Sequence, residues 1–136
     1  MQETISTGLT KTSDIVVDKD RTVGFVGDAC RVYSTPSLLH DVENCCRDLL
    51  LEHLDEGEDS VGTRVVLDHT GATLLGMSVQ IMVTICAIDR RQISFDFTAR
   101  DRVEEIAHGC HQRFVIDKAK TASRLQAKAS QADATH

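Results

Sequence analysis

The chain has 136 residues, room for one domain with a core of its own and none for a second. Its net charge of −6, with Lys and Arg scattered, and its aromatic content of four Phe, one Tyr and no Trp remove both the clustered cations that neutralise nucleic-acid phosphates and the platforms on which bases stack. Five cysteines, two of them adjacent (Cys45, Cys46) and none in a spaced CxxC pair, suggest neither a disulfide framework nor a zinc finger and fit a reducing cytoplasm. No apolar run approaches membrane-spanning length, and MQETISTGLT lacks the pattern of a secretory leader, so no membrane partner is expected.

In chain order, the first dozen residues read as loose and Thr22–Val26 as a first strand. The segment STPSLLHDVENCCRDLLLEHLDEG is the one strong helix pattern. Thr35 is read as its N-cap, Pro36 as its first helical residue, where a missing N–H costs nothing, and Gly57 as its stop. Leu38, Leu39, Val42, Cys45, Cys46, Leu49 and Leu50 recur at spacings that make one broad apolar arc, to be buried.

Beyond the helix the period becomes two. From Thr63, alternation sets Val65, Leu67 and His69 on one face, so a histidine points where a core is expected. Met77–Ala87 and Ile93–Thr98 alternate likewise; the short link DRR (89–91) joins these two and RDR (100–102) joins the second to Val103–Ile116, which predicts an antiparallel meander. Gln126–His136, rich in Ala, Ser, Gln and Thr, reads as a frayed tail. The fold class expected is α+β: one domain, 1–136 with its core at roughly 15–125, whose antiparallel sheet wraps a long central helix.

Few residues in this frame carry chemistry. A lone inward histidine is ordinarily a satisfied core residue, and a carboxylate at a helix border, such as Glu43, is ordinarily solvated. Because the helix packs on the face bearing His69, however, Glu43 and His69 are placed to meet as an acid/base pair whose pKa values burial would shift. Eight residues of helix, about 12 Å, keep Thr35 and Glu43 apart, although both could flank one substrate. His108 and Cys110 share one strand face while His111 points to the other, so these three do not converge as metal ligands, and no metal is expected.

Thr35-Pro36, Glu43, the VGT containing Gly62, HTGATLLGM beginning at His69, and GCHQRF with Arg113 together resemble the fluoroacetyl-CoA thioesterase-like branch of the hotdog-fold superfamily, over roughly Thr22 to Asp117. The resemblance implies a hotdog homodimer, with pairing of dimers into tetramers left open, and acyl-CoA sites near the subunit interface. It implies Thr35, Glu43 and His69 as catalytic residues and Gly62 and Arg113 as further active-site positions. No cofactor is implied, coenzyme A being part of the substrate. Glu43 would act either as general base on water or as a nucleophile forming an acyl anhydride.

The phenylalanine-rich lid associated with fluoroacetyl selectivity has no clear counterpart in FVGDACRVYSTP. A short or small acyl group without strong fluoroacetyl preference is therefore expected, over a pocket floor of Val42, Cys46, Val65 and Leu67. Two other functions compete with hydrolysis. One is a non-catalytic acyl-CoA-binding dimer; the other is a hotdog enoyl-CoA hydratase, whose motif GDACRVYSTPSLLH only echoes.

Overall fold

A computed structural model describes residues 1–134. Strand β1 (Thr10–Val16) comes first, followed by a small ribbon of β2 (Thr22–Val23) and β3 (Val32–Tyr33). Helix α1 (Thr35–Leu51) follows, then β4 (Glu58–His69), β5 (Ser78–Asp89), β6 (Gln92–Arg100), β7 (Glu105–Asp117) and helix α2 (Lys118–Ala134). The main sheet is antiparallel in the order β1-β5-β6-β7-β4, which leaves β1 and β4 as its edges.

The core lies between α1 and the inner face of this sheet. Leu38, Val42, Cys45, Cys46, Leu49 and Leu50 are buried as the apolar arc requires, against Val79, Ile81, Val83 and Ile85 of β5, Ile93, Phe95 and Phe97 of β6, and Val115 of β7. The expected meander is β5-β6-β7, with Arg90 and Arg91 as the two-residue turn between β5 and β6. α1 ends at Leu51, short of Gly57, whose φ of +86° turns the chain into β4.

Three expectations are corrected. The supposedly loose first dozen residues contain the start of β1, Thr10 to Thr12, and the strand pairs with β5 from Thr10↔Thr84 to Val16↔Ser78; short, half-exposed edge strands carry too little apolar pattern to stand out. Thr22–Val26 is a strand only at Thr22–Val23, and it pairs with β3 outside the main sheet. Most of the expected frayed tail is helical in α2, which buries no residue; Thr135 and His136 lie outside the described residues.

Asp41 sits within the buried arc of α1, where the Leu/Val periodicity alone does not reveal it. Its carboxylate, 4% exposed, accepts from the Tyr33 hydroxyl at 2.5 Å and from Arg21 Nε at 2.9 Å. This ties β3 and the turn before β2 to the helix. Burial, then the adjoining carboxylate, push the Tyr33 phenol well above its usual pKa. Asp41→Ala leaves that buried hydroxyl without its acceptor and is expected to cost about 1–3 kcal/mol. An unchanged urea midpoint would contradict this.

Candidate active site

The helix entrance places the first site residue. Ser34, not Thr35, is the N-cap: its Oγ accepts from the Ser37 N–H at 3.2 Å, and Thr35 and Pro36 open the first turn, where N–H groups have no intrahelical acceptor. The shift of one residue releases the Thr35 hydroxyl, which lies 2.8 Å from His69 Nδ1. His69 Nε2 is buried without a hydrogen-bond partner. Burial holds the His69 pKa below the usual histidine value, partly opposed by the Gly71 backbone. The ring is therefore neutral at pH 7 and can take a proton.

Thr35 and His69 stand on the wall of a cavity of about 520 Å³, with Val23, Phe25, Val32, Tyr33, Ser34, Pro36, Thr70, Gly71 and Ala72. This corrects the expected floor. Val42 and Cys46 are fully buried in the core, Leu67 packs against that core, and Val65 is 38% exposed. The walls come instead from the β2-β3 ribbon and the chain after β4. They include two aromatic residues, Phe25 and Tyr33, both from the segment expected to lack a lid.

Glu43 is one helical face further on, with a side chain 38% exposed. Its Oε2 faces Arg113 Nη1 at 3.5 Å. The guanidinium is buried, and donates from Nε to Ser60 Oγ at 2.8 Å, from Nη2 to the Ser60 carbonyl at 2.8 Å and from Nη1 to His111 Nε2 at 3.2 Å. Burial lowers the Arg113 pKa and Glu43 raises it; an arginine starts high enough to stay charged. Gly62 completes the cluster: a Cβ there would meet Glu43 Oε2 at 2.9 Å and His111 Cε1 at 3.1 Å. The β4-β7 register shifts between Gly62 and Arg64, a bulge that interrupts the ladder at the site.

The five expected residues therefore form two groups. No hydrogen bond joins Glu43 to His69 among the described residues: His69 meets Thr35, and Glu43 meets Arg113 and Gly62. Seven residues of β4, at about 3.3 Å each, hold Gly62 and His69 roughly 20 Å apart.

The model of the fluoroacetyl-CoA-specific thioesterase family matches residues 17–119, a span that holds both groups. The chain belongs to this family. Its activity is acyl-CoA thioester hydrolysis. It is 28% identical over 135 residues to the fluoroacetyl-CoA thioesterase of Streptantibioticus cattleyicolor, covering 94% of this chain and 97% of that one. A solved structure of the fluoroacetyl-CoA thioesterase FlK superposes with a TM-score of 0.84 at 28% identity, over 93% of this chain and 98% of that one. A hypothetical protein of Thermus thermophilus described as a thioesterase superfamily member shares the fold, with a TM-score of 0.88 at 24% identity over 98% and 99% of the two chains. The hotdog architecture expected from the sequence is the one observed.

Within this thioesterase, His111 belongs beside Glu43 and was not singled out from the sequence as a site residue. Its parity with Arg113 was the available signal, since both face inward from β7. The contact at Gly62 makes a direct prediction. Gly62→Ala places its methyl against the flexible end of Glu43, so the carboxylate gives way rather than the backbone. We expect kcat to fall about tenfold or more, because displacements near 1 Å can cost two orders of magnitude, with the melting temperature little changed. Parental kcat in this variant would contradict the placement of Glu43.

Proposed function

We propose that the protein hydrolyses acyl-CoA thioesters with short or small acyl groups, using Glu43, His69 and Thr35 as catalytic residues and Gly62 and Arg113 to bind the reacting thioester. The observation that carries this reading is the Glu43 carboxylate set against Gly62 and a buried arginine. The thiolate of coenzyme A leaves readily, since a thiol has a pKa near about 8.5, so the protein must supply attack and oxyanion stabilisation. Glu43 takes a proton from water as water attacks the carbonyl, or attacks that carbonyl itself; the geometry is compatible with either. The interrupted ladder at the Gly62 bulge suits presentation of a backbone N–H to the developing oxyanion. Thr35 donates a hydrogen bond, and the neutral His69 moves the proton.

The packed core supports a small acyl group: Val42 and Cys46, expected on the pocket floor, are fully buried between α1 and the sheet. Thiol release from acetyl-, fluoroacetyl-, butyryl-, phenylacetyl- and palmitoyl-CoA tests the assignment. One methylene in an apolar pocket is worth only about 1–3 kcal/mol, so neighbouring chain lengths should be accepted. A preference for palmitoyl, or a fluoroacetyl-to-acetyl ratio of thousands in kcat/KM, would overturn the substrate assignment.

The working unit we propose is a homodimer joined through β4. That strand is an unpaired edge carrying exposed Val61, Val65 and Val66. Antiparallel pairing of two β4 strands about a two-fold axis between Val65 and Val66 sets His69 opposite Gly62 of the partner subunit. The two groups, far apart in one chain, then become two complete sites. All five cysteines are free, which supports a reducing cytoplasmic setting. No helix among the described residues is long and apolar enough to cross a membrane.

A further inference from the structure

Resting on the reading that Glu43 is the reacting carboxylate, we propose that His111 is a positioning residue: a neutral imidazole that holds Arg113 in the orientation from which it faces Glu43. His111 is 2% exposed on β7, and its Nδ1 lies 2.8 Å from the carbonyl oxygen of Arg64, immediately after the β4 bulge. A carbonyl oxygen only accepts, so Nδ1 carries the hydrogen and donates it. Nε2 then presents its lone pair, and Arg113 Nη1 donates to it at 3.2 Å.

A protonated ring would set N–H against N–H at this contact, so the arrangement holds only for neutral histidine. Burial, and secondarily the Arg113 charge, lower the His111 pKa, while the Arg64 carbonyl and Glu43 raise it. The other titratable groups acting on this pair are Cys46 and Arg47 from α1 and Asp59 from β4. Burial keeps the Cys46 thiol protonated, and Arg47 and Asp59 pair with each other at 2.7 Å.

The anchors of Arg113 explain why His111 matters. Ser60 takes Nε and Nη2, and His111 takes one hydrogen of Nη1, which fixes the plane of the guanidinium. The remaining Nη1 hydrogen faces Glu43 at a long 3.5 Å. Glu43 is thus oriented without being clamped. Without His111, Nη1 would lose its only fixed acceptor and turn onto the carboxylate.

Three substitutions separate the two ends of the ring. Asn reaches only as far as Nδ1, Gln reaches the position of Nε2, and Leu supplies neither polar atom. With the best acyl-CoA substrate, His111→Leu and His111→Asn are expected to lower kcat about tenfold or more, with KM changed less than about threefold, whereas His111→Gln recovers most of the kcat lost in the Leu variant. Melting temperatures of all three are measured alongside, because a purely structural role would make kcat follow stability. Parental kcat in the Leu and Asn variants, or kcat that tracks melting temperature with no recovery by Gln, overturns the role of His111 alone. A parental protein that releases no thiol from any acyl-CoA overturns the functional reading and this inference with it.

Discussion

Glu43→Ala and His69→Ala, made separately, are each expected to lower kcat for thioester hydrolysis by about 100-fold or more, the usual range for positioned acid/base groups being roughly 10²–10⁴. No free base stands beside Glu43 among the described residues: Arg113 is a cation, the Cys46 thiol is held protonated by burial, and both ring nitrogens of His111 are engaged by the Arg64 carbonyl and Arg113. His69 is the imidazole facing the Thr35 hydroxyl. Its lowered pKa also sets the sign of the pH effect. Base activity is complete where the ring is neutral, above the usual histidine range near about 6.5, and is lost as pH falls through the lowered value. Parental rates in either variant on every accepted acyl-CoA would remove that residue from the mechanism.

Mixing the same two inactive variants should restore activity. If each site takes Thr35 and His69 from one subunit and Glu43, Gly62 and Arg113 from the other, a heterodimer of the Glu43→Ala and His69→Ala chains contains one intact site and one doubly damaged site. Random reassortment of equal amounts gives about half heterodimers, and hence about a quarter of the parental sites. The expected rise is from about 1% or less to near 25% of parental activity after subunit exchange, such as co-refolding. Failure to recover while size measurements confirm exchange would mean that all five residues act within one chain. A stable monomer at micromolar concentration would overturn the dimer itself.

Much of the fold was legible in the sequence because it rests on local periodicity. The arc from Leu38 to Leu50, the alternation of β5 and β6 and the short turn at Arg90 and Arg91 each follow from neighbours in the chain. The candidate site residues Glu43, His69 and Arg113 could be named through the family resemblance of their motifs. Pairing them required tertiary structure. Helix packing set Thr35 against His69, and the bulge after Gly62 set Glu43 beside Arg113, over separations of 34 and 70 residues. The burial of Asp41 and His111 was likewise decided only in three dimensions. A polar residue on a buried face is stable only where distant groups satisfy it, here Tyr33 and Arg21 for Asp41, and Arg64 and Arg113 for His111. Residue type and spacing thus determined which faces are buried, while the partners of each polar group were decided by the tertiary structure, because hydrogen bonds between segments depend on where those segments meet.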